Sequence, residues 1–484
     1  MQATRRNQSA WDSRESGVTL KTDLIVLGGG SAAFAAAIKA AEMGKSVALV
    51  EGGTIGGTCV NVGCVPSKAL IAAASAWHTA GHHPFQGIEM QAQHVDFGTV
   101  VAAKDALVEE LRQAKYVDVL SSYPLVRWVK DIGRLRSTSP IRVEAAGDVI
   151  EADRLIIATG AHSWAPPIPG LEGTPFWTST EALAAKVLPE SLIVLGGSAV
   201  GVELAQFYAR LGTRVTVLEV LDRIAPQEDE DVSDGLTQAL QQEGLTVAAG
   251  FKVQSVQFHG HFHVTGERDG KSIDYTAEKL LVATGRRPTT AGFGLEDAGV
   301  ALDRRGAVVV NDRLETSVSG IYAAGDVIGQ AMFVYAAAYG GGIAAQNAFG
   351  GRERFDLTAL PKVTFTDPQI ASVGITEEEA EKQGISCRCT SLPLAYVPRA
   401  LANRDTRGFI KIVAEKDSGR IVGVHILAPE AGEIIQPAVF AVKYEMTVDD
   451  IRSNFFPYLT MVEGLKLAAL TFDKDVSKLS CCAG

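Results

Sequence analysis

The sequence predicts an α/β protein with two Rossmann-like dinucleotide-binding units and an α+β segment at its C-terminal end. A glycine-rich turn between an apolar strand and a helix occurs twice, and each time the following strand ends in an acidic residue. Beyond residue 357, strand-like and helix-like segments are mixed. Because 484 residues are too many for one ordinary hydrophobic core, several domains are expected.

The first unit is the stretch DLIVLGGGSAAFAAAIKAAEMGKSVALVE. Its apolar strand leads into a turn with Gly28, Gly30 and Ala33 at the fingerprint positions. Glu51 ends the next strand, 23 positions after Gly28. Glycines let the backbone approach a pyrophosphate at a helix N-terminus, and the acid accepts hydrogen bonds from a ribose. The complete strand, turn, helix and strand therefore predict a dinucleotide site.

The second unit, SLIVLGGSAVGVELAQFYARLGTRVTVLE, repeats this pattern. Gly196, Ser198 and Gly201 occupy the turn, and Glu219 again follows 23 positions after the first glycine. Two such units predict two dinucleotides. The alternative, two nucleotide-shaped folds that bind nothing, is disfavoured because the whole context matches twice.

Three further apolar strands end in glycine-containing turns. LIIATGAHSWAPPIPG and LLVATGRRPTT both end in Ala-Thr-Gly, and SGIYAAGDVIG ends in Gly325 and Asp326. The repetition indicates that the chain leaves and re-enters domains at equivalent places.

The stretch IGGTCVNVGCVPSKAL carries the first of three close cysteine pairs, Cys59 and Cys64. A thiolate is the reactive form of cysteine, and a nearby cation or helix N-terminus lowers the thiol pKa. Lys68 and Pro66, a residue suited to a first helical turn, supply both features. A redox pair is favoured over buried packing residues, and a zinc site is disfavoured because two cysteines supply half of the usual four ligands.

Taken together, these motifs resemble the pyridine nucleotide-disulfide oxidoreductase family from about residue 21 to the end. The resemblance implies FAD, NADH or NADPH, and a homodimer. It implies the following domains: a flexible tail at 1–20, an FAD-binding domain at 21–166, an NAD(P)-binding domain at 167–287, a central domain at 288–357, and a dimerisation domain with a Cys-Cys tail at 358–484.

The same resemblance implies roles at the dithiol. Cys59 would be the outward interchange thiol, and Cys64 the thiol against the flavin. Lys68 would lie near flavin N5, where its charge stabilises the reduced anionic flavin, with Glu203 as its partner. Asp326 would contact the ribityl-phosphate region. The residues implied to bind the two cofactors are Gly28, Gly30, Ser31, Ala32, Ala33, Glu51, Gly57, Thr58, Lys68, Thr159, Gly160, Gly196, Ser198, Gly201, Glu203, Glu219, Gly285 and Asp326.

The stretch FPYLTMVEG differs from most of the family, which reduces organic disulfides with a His-Pro-Thr motif followed by a Glu. Thr460 and Glu463 match, but Tyr458 stands at the histidine position. The histidine protonates the departing thiol, and a tyrosine with a pKa of about 10 is a poor proton donor for this step at neutral pH. The substrate is therefore expected not to be a disulfide.

The chain ends in KLSCCAG, with Cys481 and Cys482 adjacent. Vicinal thiols near a terminus suit the capture of a soft, thiophilic ion, because soft sulfur ligands select soft metals. A strained vicinal disulfide that relays electrons is the alternative.

Tyr458 and the terminal pair are similar to one branch of the family, the mercuric ion reductases, as is Tyr116 in AKYVD. By that resemblance the partner subunit's Cys481 and the partner subunit's Cys482 collect Hg(II) from a thiol complex and pass it to Cys59 and Cys64, so the active sites are shared between subunits. NADH or NADPH then supplies the electrons that yield elemental mercury. Packing or a role beside Hg(II) are both open for the two tyrosines.

Two departures limit this similarity. Residues 1–20 hold no cysteine, so a heavy-metal-binding domain is not expected and the chain would be the catalytic core. Glu219 favours NADH because a carboxylate there would repel the 2′-phosphate of NADPH, whereas mercuric reductases usually resemble NADPH enzymes. Arg214 and Arg223 nearby could still bind a phosphate.

The remaining pair, Cys387 and Cys389, fits a strand that places both side chains on one face. A structural role is favoured there over accessory metal binding. The net charge of -11 without a basic patch argues against nucleic acid and membrane partners. No apolar run near 20 residues and no signal peptide are visible in the sequence, so a cytoplasmic location is expected.

Three rival functions stay open at this point. A thioredoxin reductase with terminal cysteines and a lipoamide dehydrogenase would both reduce disulfides, but both would keep the histidine at position 458. A flavoprotein that sequesters soft metal without turnover is disfavoured by the complete set of Cys59, Cys64 and Lys68.

Overall fold

The computed structural model describes residues 19–478. Most of the predicted tail and the terminal Cys481 and Cys482 lie outside the described residues. The strands are β1 Thr19–Leu27, β2 Val47–Val50, β3 Val126–Val129, β4 Arg134–Thr138, β5 Ile141–Ala145, β6 Asp148–Ile157, β7 Ala161–Ser163, β8 Ser191–Leu195, β9 Arg214–Leu218, β10 Thr246–Ala248, β11 Lys252–Phe258, β12 Phe262–Arg268, β13 Lys271–Ala277, β14 Lys279–Val282, β15 Arg286–Pro288, β16 Ile321–Ala323, β17 Lys362–Thr364, β18 Gln369–Gly374, β19 Cys387–Pro393, β20 Phe409–Glu415 and β21 Ile421–Ala428.

The α-helices are α1 Ser31–Glu42, α2 Gly57–Val62, α3 Cys64–His82, α4 Phe97–Arg112, α5 Asp118–Ser121, α6 Ser179–Ala184, α7 Ala199–Arg210, α8 Glu230–Gln242, α9 Val334–Ala348, α10 Glu377–Lys382, α11 Pro398–Asn403, α12 Ala431–Ile434, α13 Gln436–Lys443, α14 Val448–Ser453 and α15 Glu463–Leu470. A π-helical turn spans Gln113–Val117, and 3-10 turns span Asp326–Ile328, Leu394–Tyr396 and Val476–Lys478.

The described chain divides into two compact units, each made of three segments. The first contains 19–67, 102–164 and 286–357, and the second contains 68–101, 165–285 and 358–478.

The first unit is built on a seven-stranded sheet in the order β3-β2-β1-β6-β5-β4, with β16 paired to β6. The strands β3, β2, β1, β6 and β16 run parallel, while β5 and β4 are antiparallel additions. Leu24, Ile25, Val26 and Leu27 are fully buried, as expected for a central parallel strand covered on both faces. The alanine-rich α1 lies so close to α9 that a Cβ on Gly341 would be 2.1 Å from the carbonyl oxygen of Ala32.

The second unit contains a parallel sheet in the order β10-β9-β8-β14 and an antiparallel sheet of β11, β12 and β13. The apolar core beside the parallel sheet includes Phe207 and Tyr208 of α7, whose rings meet edge-on at 4.8 Å between centroids. The Tyr208 hydroxyl donates to the carbonyl of Ala182 at 2.6 Å, so this buried polar group is satisfied.

The second unit also contains an antiparallel sheet in the order β17-β18-β21-β20-β19, so β19 lies at one edge. Its central strand β21 is buried along its whole length. The core of this part combines buried residues of β20 and β21 with those of the short helices α12 to α15.

Residues 57–82 form one helical stretch that is long and apolar enough to cross a membrane by length and composition. The stretch is interrupted at Gly63, between α2 and α3, and Leu70 and Ala74 are buried in the apolar core of the second unit.

Candidate active site

The cysteines of the GGTCVNVGC stretch lie on either side of a helix break. Cys59 is in α2, Gly63 follows that helix, and α3 begins at Cys64. Gly56 and Gly57 enter α2 with φ of +97° and +65°, a region that favours glycine. Cys59 is half-buried, and in the protein chain alone Cys64 is the more exposed of the two.

Tyr116 lies in the π-helical turn after α4, and its ring packs edge-on against Phe34 at 4.8 Å between centroids. Burial raises the pKa of the Tyr116 phenol, a hydrogen bond with Ser31 opposes this, and the neighbouring thiols of Cys59 and Cys64 raise it further. The phenol is therefore protonated at neutral pH. The structure thus brings together three of the predicted residues, the two thiols and Tyr116.

Tyr335 also belongs to this group, although the sequence reasoning missed it. It is the second residue of α9, and its ring stacks on Phe333 at 5.4 Å. Burial, with a contribution from the Cys64 thiol, raises the pKa of Tyr335 to about 12. Like Tyr116, it is a protonated hydroxyl near the dithiol. No sequence motif identifies Tyr335, which is the second residue of an alanine-rich helix.

Arg286 is a second residue that the sequence reasoning missed. It opens β15, donates to the carbonyl of Ala161, and lies 4.0 Å from the carboxylate of Asp326. Burial lowers the pKa of Arg286, while Asp326 and the Cys64 thiol counteract this. A guanidinium stays charged in proteins, so it places a positive charge near Cys64 and Asp326. Its place directly after the second Ala-Thr-Gly strand was the available signal.

The first glycine turn requires its glycines for close packing. At Gly28, with φ of +117°, a Cβ would be 2.2 Å from the carbonyl oxygen of Ala158. A Cβ on Gly57 would be 2.6 Å from the Cα of Gly30, so these two turns meet back to back. Gly30 precedes α1 without a side-chain cap, which leaves the first backbone N–H groups of the helix without a side-chain acceptor. This arrangement fits a pyrophosphate.

The other residues predicted around this turn lie on or beside α1. Ser31 begins the helix, and Ala32 and Ala33 are buried within it. The Glu51 carboxylate follows β2 and accepts a hydrogen bond from Gly53 N at 2.5 Å. One carboxylate oxygen has accepted this bond, and the acid still has acceptor sites for a ribose.

Thr159, Gly160 and Asp326 belong to the same unit as this turn. Thr159 Oγ1 donates to the carbonyl of Thr289 at 2.6 Å, and Thr289 N donates to the carbonyl of Gly160 at 2.9 Å. Burial raises the pKa of Asp326, and Arg286 counteracts it. Thr58 is exposed in α2, with its hydroxyl 3.5 Å from Arg286. The donor and acceptor set of this unit fits FAD.

The second glycine turn repeats the packing of the first. At Gly196, with φ of +109°, a Cβ would be 2.5 Å from the carbonyl oxygen of Ala283, and a Cβ on Gly201 would be 1.9 Å from the carbonyl oxygen of Gly196. Ser198 precedes α7 without a side-chain cap. The N-terminus of α7 therefore fits a second pyrophosphate.

Glu219 is buried at the end of β9 and supports this turn. Its Oε2 accepts from Gly197 N at 2.6 Å, and its Oε1 accepts from Leu221 N at 2.9 Å. Both carboxylate oxygens are thus engaged by the backbone, which leaves fewer acceptor sites for a ribose hydroxyl. The sequence alone did not predict that Glu219 also stabilises the turn through these backbone hydrogen bonds.

Two of the residues considered for nucleotide binding, Gly285 and Arg214, lie at open or exposed positions. Gly285 has φ of +117°, and a Cβ there would meet open space. Arg214 is exposed at the start of β9, whereas Arg223 Nη2 lies 3.3 Å from the carboxylate of Glu378. Arg223 therefore has a carboxylate partner that a phosphate would have to compete with.

Lys68 and Glu203 form the predicted pair. Lys68 Nζ lies 2.6 Å from Glu203 Oε2, and Phe365 N donates to Glu203 Oε1 at 2.8 Å. The ammonium also lies 4.4 Å from the Phe365 ring centroid. Glu203 is buried in α7, so both of its oxygens have partners, as a buried carboxylate requires.

Tyr458 and Glu463 lie in the second unit. Tyr458 is exposed, and Leu459 after it has φ of +61°. Glu463 begins α15 and accepts from Leu459 N at 3.3 Å, so its carboxylate supports the turn that carries Tyr458. The other predicted metal ligands, Cys481 and Cys482, lie outside the described residues. Within 19–478, no group of three or more His, Cys, Asp or Glu side chains could hold a metal ion.

The chain matches two models of one known family. Residues 22–341 match the family model described as pyridine nucleotide-disulphide oxidoreductase, and residues 360–469 match the dimerisation domain of the same family. The chain belongs to this family. The family uses FAD and a pyridine nucleotide, and the predicted α/β fold class is confirmed.

Similar proteins include several mercuric reductases. The one from Shigella flexneri is 47% identical over 471 residues, which cover 95% of this chain and 82% of that protein. The one from Streptomyces lividans is 46% identical over 472 residues, which cover 96% of this chain and 98% of that protein.

Solved structures of similar fold include one protein from Escherichia coli and one from Mycobacterium tuberculosis. A Cu(II) complex of the HOCl-induced flavoprotein disulfide reductase RclA from Escherichia coli has a TM-score of 0.84 at 30% identity, covering 94% of this chain and all of that one. LpdA from Mycobacterium tuberculosis has a TM-score of 0.83 at 28% identity, with 94% of this chain covered.

Proposed function

We propose that this family member is a mercury(II) reductase, which oxidises NADH or NADPH and reduces thiol-bound Hg(II) to elemental mercury. The observation that carries the proposal is the grouping of Tyr116 with Cys59 and Cys64. The similarity to mercuric reductases over almost the whole chain supports the same reaction. The nicotinamide gives up a hydride, Hg(II) gains two electrons, and the thiols that held Hg(II) are released.

Cys59 and Cys64 bind Hg(II) by ligand exchange. Each cysteine sulfur replaces one thiol of the incoming complex, so the ion passes from thiolate to thiolate and is never free. Exchange requires thiolates, and the positive charge of Arg286 near Cys64 favours that form. Elemental mercury has little affinity for thiolate and leaves.

Tyr116 and Tyr335 are neutral phenols in this grouping, because burial and the thiols raise their pKa values. A neutral phenol can donate a hydrogen bond to a thiolate, which stabilises the ionised sulfur. The two residues therefore position and activate the dithiol without exchanging protons themselves at neutral pH.

The residues of the first glycine turn hold FAD in this proposal. When bound, FAD supplies the two-electron carrier between the nicotinamide and the dithiol. The N-terminus of α1 would bind the pyrophosphate, Glu51 the ribose, and Asp326 the ribityl-phosphate region. Arg286 balances the charge of the half-buried Asp326. Lys68, which is held by Glu203, would supply a positive charge to the bound flavin.

The residues of the second glycine turn hold the nicotinamide cofactor. Gly196, Ser198 and Gly201 form the pyrophosphate site, and Glu219 disfavours a 2′-phosphate through its charge. We therefore infer a preference for NADH. The salt bridge between Arg223 and Glu378 supports this choice, because it engages a cation that could otherwise receive the phosphate.

The enzyme is a homodimer in this proposal, since residues 360–469 match the family's dimerisation domain. Tyr458 and Glu463 would complete the active site of the other subunit, and the partner subunit's Cys481 and the partner subunit's Cys482 would deliver Hg(II) to it. We infer a cytoplasmic location and retain the predicted domain boundaries at residues 20, 166, 287 and 357.

A comparison of electron acceptors tests the reaction. Purified protein with excess small thiol is given NADH or NADPH together with Hg(II), oxidised thioredoxin or oxidised lipoamide. Nicotinamide oxidation should be fastest with Hg(II), and Cys59→Ala or Cys64→Ala should abolish it. Faster turnover with either disulfide would favour a disulfide reductase and reject the proposal.

The delivery step has a separate test. The pair of changes Cys481→Ala and Cys482→Ala should slow turnover with thiol-complexed Hg(II), while reduction of FAD by the nicotinamide stays normal. Unchanged turnover under excess thiol would remove the terminal pair from the mechanism.

A further inference from the structure

Cys387 and Cys389 form a second pair of neighbouring thiols, on the edge strand β19. Their sulfur atoms are 4.0 Å apart, and both side chains are half-buried on one face of the strand. They lie against the small apolar core of Ala380, Val413 and Val422. The predicted alternation is therefore correct, and it brings two sulfur ligands together outside the dithiol of Cys59 and Cys64.

We propose that Cys387 and Cys389 form an accessory binding site for a soft, thiophilic cation. The cation is Hg(II), which rests on the proposed function, in which Hg(II) is the substrate. With metal–sulfur bonds of about 2.3 Å, two sulfur atoms 4.0 Å apart subtend about 120° at a shared ion. A linear arrangement requires a separation of about 4.6 Å, which a small side-chain rotation supplies.

The coordination number favours this class of ion over zinc. Structural zinc sites use four protein ligands. Within residues 19–478 no cluster of three or more ligating side chains is present, so this pair supplies two sulfur ligands and no complete zinc site. Soft ions that accept two thiolates suit such a pair.

The surroundings of the pair carry negative charge. The Glu377 carboxylate is hydrogen-bonded to Cys389 and also lies 2.9 Å from Lys411 Nζ. Lys411 is shared with Asp229 at 3.1 Å and Asp231 at 3.2 Å, so three carboxylates surround one ammonium. This net negative charge attracts a cation to the pair.

Binding changes protonation without any electron transfer. Two S–H bonds break, two metal–sulfur bonds form, and both protons pass to solvent. The Glu377 carboxylate, already hydrogen-bonded to Cys389, is placed to accept the first proton.

Formation of a disulfide between Cys387 and Cys389 is the alternative to metal binding. Residues two apart on an extended strand have Cα atoms about 6.7 Å apart, at the long limit of disulfide geometry. A bridging ion tolerates a wider sulfur separation than the covalent bond does, so the strand favours the metal.

Metal stoichiometry tests the site in full-length holoenzyme carrying Cys59→Ala, Cys64→Ala, Cys481→Ala and Cys482→Ala. HgCl2 is added with a small competing thiol, and bound mercury is measured after gel filtration. About one Hg(II) per chain is expected. Adding Cys387→Ser or Cys389→Ser should weaken binding on the order of 100-fold. The neighbouring control Ser391→Ala should retain the ion, and equal binding in all variants would overturn the proposal.

Thiol mapping provides a second measurement that needs no substitution. Wild-type holoenzyme without nicotinamide is treated with excess HgCl2, alkylated with N-ethylmaleimide and analysed by peptide mass spectrometry. Hg(II) should protect Cys387 and Cys389 together. Alkylation at the same rate with and without Hg(II), or recovery of a disulfide between them, would overturn the proposal. Turnover of Cys387→Ser in the otherwise wild-type enzyme should be unchanged, because the site is separate from the proposed reaction.

Discussion

The Lys68 ammonium and the buried Glu203 carboxylate are 2.6 Å apart, and Glu203 has one further partner, Phe365 N at 2.8 Å. Lys68 is about one-third exposed, whereas Glu203 is almost fully buried. Removal of the two partners should therefore cost different amounts of stability. Loss of the lysine leaves a buried carboxylate without its cation, whereas loss of the carboxylate leaves an ammonium that can reach water.

Lys68→Met should lower the free energy of unfolding by about 2 kcal/mol, more than Glu203→Gln does. The double variant should recover part of this loss, because neither charge is then unpaired. Urea unfolding of the four proteins measures the coupling. The exposed Lys186→Met is the control and should change stability by less than about 0.5 kcal/mol. Additive effects would show that the contact contributes nothing.

Tyr116→Phe should move the pH dependence of Hg(II) turnover. In the proposed mechanism the phenol hydroxyl donates a hydrogen bond to the dithiol, so its removal should raise the thiol pKa. The acidic limb of kcat/KM then shifts to higher pH, and turnover at pH 7 falls by up to about tenfold. Tyr275→Phe, which keeps its ring contact with Phe251, is the control. If the acidic limbs of the kcat/KM profiles of Tyr116→Phe and Tyr275→Phe are identical, Tyr116 does not stabilise the thiolate form of the dithiol.

Glu219→Gln should raise the ratio of NADPH to NADH efficiency by about tenfold, equivalent to about 1.4 kcal/mol. The amide keeps an acceptor for Gly197 N or Leu221 N and removes the charge that repels a 2′-phosphate. Glu219→Ala should instead impair both cofactors, because the turn loses its support. Steady-state kinetics with both nicotinamides distinguish these cases, with the exposed Asp222→Asn as control. An unchanged ratio in Glu219→Gln would contradict the inferred NADH preference.

His425 should make stability depend on pH. It is buried with Nδ1 3.3 Å from Glu228 Oε2 and Nε2 3.0 Å from the carbonyl of Ile375. Burial opposes its charge, but the Glu228 carboxylate prevails and raises the pKa of His425 above 6.5. The folded state then binds the proton more tightly than the unfolded state.

This stabilisation is fully present below pH 6.5 and is lost as the pH rises through the folded-state value. Unfolding free energies across that window should therefore decline in the wild type and decline less in His425→Gln. The exposed His259→Gln should follow the wild type. Parallel curves for all three proteins would show that His425 does not titrate differently on folding.

The parts of the site that the sequence predicted well are local. The turns at Gly28 and Gly196 need glycine because backbone carbonyls come within contact distance of these positions. The sequence motif contains these glycines and therefore predicts the turns. The same holds for Cys387 and Cys389, whose common face follows from strand alternation. The predicted family and fold class are confirmed by the comparisons, and the proposed mercury(II) reductase reaction agrees with the names of the similar proteins.

The parts that the sequence did not predict depend on tertiary contacts. Arg286 and Tyr335 interact with Cys64 from more than 200 positions away in the chain. Arg286 directly follows an Ala-Thr-Gly strand, but that motif does not indicate the contact with Cys64, and Tyr335 lies in no motif. The engagement of Glu219 by backbone N–H groups likewise appears only when the turn is folded. The nicotinamide preference, the individual residue roles and the domain boundaries stay predictions.

The most direct test of the proposed reaction is to collect mercury vapour from purified protein supplied with NADH or NADPH, Hg(II) and excess thiol. One atom of elemental mercury is expected for each nicotinamide oxidised, and none is expected from Cys59→Ala, if the proposed reaction is correct. Nicotinamide oxidation without vapour would show that the electrons go elsewhere and would contradict it.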